Sequence, residues 1–141
     1  MAEFGNNPRK ARDIPAFTAS STVAKDMVAG EIVKFDKVWT NNKNCYNPKT
    51  GVFTVPKTGL YQVSATVMSP QNKALIVHLW QNENPMMAFY APVGYNEATT
   101  NIVLNLKKND RLYLKVSDST RAIYNSKENP YSTFSGYLLS E

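Results

Sequence analysis

From Thr50 to the last residue the chain repeats one pattern. Runs of five to ten β-forming residues alternate with short blocks of Gly, Pro, Asn, Asp and Lys. Such spacing belongs to a β-sandwich or barrel, because each block supplies the backbone conformations that stop a strand and reverse it. Val52–Val55 lies between Asn47-Pro48-Lys49-Thr50-Gly51 and Pro56-Lys57-Thr58-Gly59. Over Leu60–Met68, apolar Tyr61, Val63, Ala65 and Val67 alternate with Gln62, Ser64 and Thr66, which reads as a half-buried strand. Ala74–Gln81 is apolar on both faces, with Leu75, Val77 and Leu79 on one and Ile76, His78 and Trp80 on the other. A strand covered twice in so small a chain needs a second sheet on one side and something else, such as another subunit, on the other. Met86–Ala91, Thr99–Leu106, Arg111–Val116 and Thr133–Leu139 complete the series. One helix is expected, over Thr22–Gly30, from Val23 and Met27 at i and i+4 and a terminating Gly30.

Composition agrees. Of 141 residues, 44 are Val, Ile, Thr, Tyr, Phe or Trp, which suits an ordered strand-rich domain and argues against a helical bundle. The net charge of +5 includes Arg9, Lys10 and Arg12 near the start, so the remaining charge is diffuse and nucleic acid is not an expected partner. No apolar run reaches the roughly 18 residues of a membrane span, so membrane insertion is not expected either. Met1-Ala2-Glu3-Phe4-Gly5 reads as a cloning remnant, since Glu-Phe is what a common restriction site encodes. Residues 1–13 are therefore expected to be a flexible leader and 14–141 the folded domain.

One cysteine, Cys45, and one histidine, His78, exclude an intrachain disulfide and a Cys/His zinc cluster. A nucleophile–base pair would have to use His78, which sits between Val77 and Leu79 in a strand and reads as a packing or subunit-interface residue. The 11 acids are scattered, with Asp118 and Glu128 in loops, so no paired carboxylates for acid–base chemistry are visible. The chain is not expected to be an enzyme. Despite 15 asparagines there is no Asn-x-Ser/Thr glycosylation signal.

Several blocks together resemble the globular-head domain of complement C1q, in the C1q and tumour necrosis factor superfamily. They are Pro15-Ala16-Phe17, Phe35-Asp36-Lys37-Val38, Tyr46-Asn47-Pro48-Lys49-Thr50-Gly51-Val52-Phe53-Thr54-Val55-Pro56, Gly59-Leu60-Tyr61-Gln62-Val63, Val103-Leu104-Asn105-Leu106, Asn109-Asp110-Arg111-Leu112-Tyr113 and Ser132-Thr133-Phe134-Ser135-Gly136-Tyr137-Leu138-Leu139. The resemblance covers about Pro15 to Leu139. It implies an all-β, ten-stranded antiparallel jelly-roll β-sandwich that assembles as a secreted homotrimer for extracellular recognition. Tyr61, Tyr113 and Phe134 match family positions in or near the trimer and its core, and His78 and Trp80 join them on the twice-covered strand. Calcium-binding relatives carry acids where this chain has Ala91-Pro92 and Asn96-Glu97. Only Asn96 and Glu97 remain as weak metal candidates, and no cofactor is expected.

The expected function is innate-immune pattern recognition or lectin-like binding of microbial glycans or lipopolysaccharide, with avidity from three copies. The alternative is a trimeric signalling or adhesion ligand for a protein receptor. Candidate ligand contacts are the turn cations Lys43, Lys49, Lys107, Lys108 and Arg111, with Lys127 in the last loop, and Tyr95 and Tyr124, which with Trp39 and Tyr131 could stack on sugar rings.

Overall fold

The computed structural model describes residues 11–22, 24–117, 121–125 and 128–141. A single 3-10 turn, Ala11–Asp13, precedes β1 (Ala16–Ser20), β2 (Lys25–Met27), β3 (Lys37–Asn42), β4 (Tyr46–Asn47), β5 (Val52–Thr54) and β6 (Gly59–Met68). There follow β7 (Leu75–Gln81), β8 (Asn84–Ala91), β9 (Glu97–Leu106), β10 (Arg111–Val116), β11 (Arg121–Ile123) and β12 (Thr133–Ser140).

Ten of these strands form two five-stranded antiparallel sheets, ordered β3-β1-β12-β6-β9 and β4-β5-β10-β7-β8. The jelly roll expected from the sequence is therefore present, with β2 and β11 paired as an additional ribbon.

The alternation along β6 is the clearest case of sequence becoming structure. Tyr61, Val63, Ala65 and Val67 are buried between the sheets, while Gln62, Ser64 and Thr66 point to the outer face of the first sheet. There Gln62 donates to Asn101, and the hydroxyl pairs Ser64–Ser135 and Thr66–Thr99 lie 2.9 and 3.0 Å apart across strand pairs. On β7, Leu75, Val77 and Leu79 are buried and Ile76, His78 and Trp80 are half-buried, so the second face of this strand is only partly covered by its own chain.

The expected helix over 22–30 does not form. Lys25–Met27 pairs instead with Arg121–Ile123, Gly30 turns the chain at φ +83°, and Val23 lies outside the described residues. A helix under three turns recovers little of its nucleation cost, whereas a partner strand satisfies the same backbone groups at once and Met27 is buried. Of the expected leader, residues 1–10 lie outside the described residues. Ala11 accepts a hydrogen bond from Asn42 Nδ2 at 2.9 Å, which ties the 3-10 turn to the end of β3.

An aromatic cluster joins the sheets. Phe17 of β1 stacks on Tyr46 of β4 with ring centroids 4.9 Å apart, meets Phe53 of β5 at 4.8 Å, and receives the edge of Phe134 of β12 at 4.9 Å. Replacing Phe17 with Ala removes three ring contacts from a site that cannot collapse without moving both sheets. The loss of stability is expected to be about 3–5 kcal/mol, measured by urea unfolding at constant m. A loss below about 1 kcal/mol would mean the ring is not part of the joint.

Candidate functional site

Strand directions sort the loops into two ends. At one end the turns 55–58, 82–83 and 107–110 meet: Val55 N–H donates to Asp110 O, Lys108 N–H to Thr58 Oγ1, and Asn82 N–H to Arg111 O, at 2.8, 3.0 and 2.8 Å. Asn42, after which the Lys43–Asn44 turn begins, pairs with Ala16 at this end, where the described chain also starts and finishes. At the opposite end the segments around 69–74, 92–96, 121–125 and 128–132 meet: Ser69 N–H donates to Asn96 O, and Tyr124 N–H to Met68 O, each at 2.9 Å.

The candidate ligand residues are thus divided. Lys43, Lys107, Lys108 and Arg111 share the first end, Tyr95 and Tyr124 lie at the second, and Lys49 stands on the flank in the turn after β4. Lys127 and Asp118 are outside the described residues.

Asp110 organises the cationic end. Its carboxylate accepts from Lys107 N–H at 2.8 Å, Asn82 Nδ2 at 3.1 Å and Gln81 Nε2 at 3.3 Å. Burial raises its pKa, but these hydrogen bonds and the Lys107 charge outweigh it and hold the carboxyl below its ordinary value. Asn109, at φ +76°, makes the turn, a left-handed conformation that asparagine tolerates. Lys107 and Lys108 are exposed. Arg111 bridges Glu83 at 2.8 Å and Lys57 faces Glu141 at 3.5 Å, so part of the cationic charge is already partnered.

The remaining candidates sit elsewhere. Tyr61 and Phe134 are wholly buried in the core of this one chain, and Tyr61 donates its hydroxyl hydrogen to Lys57 O at 2.6 Å. Tyr113 and Trp80 stack on the outer face of the second sheet at 6.3 Å, with Lys115 Nζ 4.2 Å from the Trp80 ring centroid. His78 pairs in register with Lys115 beside them. Lys115 escaped the sequence reading because a lone lysine in a strand carries no signal until its neighbour across the sheet is known. Trp39, expected near a loop, is on edge strand β3, where its Nε1 donates to Ser20 Oγ at 2.9 Å and Lys37 Nζ lies 4.3 Å from its ring.

The two weak metal candidates, Asn96 and Glu97, are neighbours where the loop leads into β9. Asn96 is exposed and donates Nδ2 to Val93 O at 2.8 Å, and Glu97 is an exposed carboxylate. Among the described residues no three His, Cys, Asp or Glu side chains cluster to hold a metal, whereas a hard cation wants six to eight oxygens.

The C1q domain family matches residues 16–139. The chain belongs to the C1q domain family. One subunit of the human complement C1q subcomponent is 28% identical over 133 residues, 92% of this chain and 52% of the relative. The chain thus spans about half the length of that relative. The globular domain of zebrafish complement 1qA superposes with a TM-score of 0.73 at 20% identity, over 90% of this chain and 98% of the other. The Eiger TNF of S. frugiperda superposes with a TM-score of 0.74 at 14% identity, over 92% and 94%. Membership of this family is consistent with a part in extracellular recognition or signalling. No helix among the described residues is long and apolar enough to cross a membrane.

Cys45 is buried, and burial pushes its thiol from the ordinary 9.0 up to about 11. Burial likewise pushes Tyr46 up to about 12. Both groups are neutral when folded, and their unfolded counterparts ionise first. Their effect on stability is therefore absent below pH 9.0 and becomes a loss as pH rises from there toward 11 and 12. Ellman's reagent at pH 8 is expected to label Cys45 only after unfolding, and the urea midpoint to fall as the pH is raised past 9.0. Rapid stoichiometric labelling of the folded protein would contradict this placement.

Proposed function

We propose that this C1q domain is a homotrimeric, secreted recognition module that binds anionic microbial surface glycans, lipopolysaccharide in particular, through the loops of its cationic end. The gathering of Lys43, Lys57, Lys107, Lys108 and Arg111 at one end of the sandwich supports the reading most directly, because it converts cations distant in sequence into one face. Single exposed lysines contribute little in salt, but a trimer repeats each one three times against a repetitive surface, and avidity multiplies weak contacts.

An exposed apolar pair on the first sheet supports the trimer reading. In the register of the first sheet, Tyr137 and Val103 flank Gln62 on the outer face, and these two apolar side chains are 46% and 48% accessible in the single chain. Covering them in a trimer removes apolar area from water.

The test is binding of the purified chain to immobilised lipopolysaccharide across a salt series. Binding is expected to be saturable and to weaken with salt, and Lys107→Ala combined with Lys108→Ala is expected to lower apparent affinity by about tenfold or more through lost avidity. Absence of lipopolysaccharide and peptidoglycan binding, together with saturable capture by a protein receptor, would overturn the reading in favour of a signalling or adhesion ligand.

A further inference from the structure

At the end of the sandwich opposite the lysines, Met68, Tyr95, Tyr124 and Tyr131 line a hollow of about 250 Å³ that opens to solvent. Tyr95 and Tyr124 meet edge to face with centroids 4.9 Å apart and planes at 64°, and Tyr131 lies against Tyr124 at 5.5 Å and 30°. The three rings pack in series along the lining of the hollow.

The rings are held from three places in the chain. Tyr124 N–H donates to Met68 O at 2.9 Å, Tyr95 N–H to Pro70 O at 3.4 Å, and Tyr131 N–H to Asn125 Oδ1 at 3.2 Å. Tyr95 adopts φ +60°, a conformation that costs a tyrosine free energy and that Gly or Asn would take more readily. Its ring is nonetheless 47% exposed, and Tyr131 is 38% exposed. The strain presents a ring to solvent rather than burying one.

The lining chemistry selects the occupant. Among the described residues no charged side chain lines the hollow. Its polar neighbours are committed: Asn96 Nδ2 to Val93 O, and Asn125 Oδ1 to the N–H groups of Tyr131 and Ser132. Among the described lining residues, phenol hydroxyls are the side-chain groups offered to a sugar ring for directional hydrogen bonds. A primary ammonium would give up tightly held water without meeting a carboxylate. A quaternary ammonium spreads its charge over methyl groups, sheds water readily, and is attracted by electron-rich aromatic rings, three of which line this hollow together with Met68.

We propose that the Tyr95–Tyr124–Tyr131 cup is a binding site for a quaternary ammonium group, the trimethylammonium of choline chemistry. The site lies at the other end of the domain from the lysines and does not depend on them.

Calorimetric titration of the full chain with choline, and with 3,3-dimethylbutanol as its neutral carbon isostere, tests the assignment. Choline is expected to bind about tenfold tighter than the isostere. Tyr95→Ala and Tyr131→Ala, both at exposed rings, are expected to abolish the difference, whereas Tyr95→Phe keeps it because the ring face and not the hydroxyl acts. Equal affinity for the two compounds would overturn the proposal. So would choline binding that survives both alanine substitutions together, or saturation of the cup by N-acetylglucosamine with choline silent.

Soluble phosphocholine and phosphatidylcholine vesicles, with phosphatidylglycerol vesicles as control, distinguish the sources. Vesicle capture lost on Tyr95→Ala identifies a lipid headgroup, and phosphocholine binding without vesicle capture identifies a soluble or glycan-linked donor. Each outcome upholds the cup. Lipopolysaccharide binding by the same protein is read separately, so its loss with choline binding intact falls on the cationic end alone.

Discussion

The joint between the sheets is aromatic, and the placement of every loop depends on it. Phe17, Tyr46, Phe53 and Phe134 come from four strands, two on each sheet, and interlock at centroid distances of 4.8 to 5.9 Å. The buried Tyr46 hydroxyl oxygen accepts Phe35 N–H at 2.9 Å, so the one polar atom in the cluster is satisfied. Gly136 belongs to the same joint: a Cβ there would come within 3.0 Å of the Phe17 ring. Gly51, at φ +81°, lets the turn before β5 pass so close to Val33 O that a Cβ would overlap that oxygen. Once the sheets are locked, the hairpin ends are rigid mounts for residues far apart in sequence.

The later strands were legible because burial and period coincide. β6 read from alternation, β7 from apolar residues on both faces, and β9, β10 and β12 as β-forming runs in the same series, each to within one or two residues at each end. The first half was harder. β3 is mainly exposed on both faces and carries no alternation, β2 and β11 are three residues each, and 22–30 imitates a helix by one i, i+4 pair. Those strands exist through pairing, which periodicity does not record. The jelly roll itself was visible only through the resemblance of blocks such as Tyr46–Pro56 to C1q heads.

Site residues were legible as chemistry but not as places. Turn lysines and loop tyrosines could be named from sequence, yet only the strand order shows that Lys43 and Lys107 share an end and Tyr95 does not. Tyr61 and Phe134 carried two readings, core or interface. Their full burial within one chain makes them unsuitable probes of assembly, since a charge at either would unfold the domain before it dissociated a trimer. The outer face of the first sheet, with Val103 and Tyr137, offers the surface on which assembly can be questioned without disturbing the core.

Avidity is the physical premise of the functional reading, because neither a lysine end nor a tyrosine cup is a strong site in a single copy. Sedimentation equilibrium of the chain, first with calcium and then with chelator, tests that premise most directly. The account predicts the mass of three 15.8-kDa chains in both conditions, and dissociation on Val103→Asp or Tyr137→Asp with the fold retained. A monomer at all concentrations would contradict it, and dissociation by chelator alone would show that a metal holds the assembly in place of the apolar face.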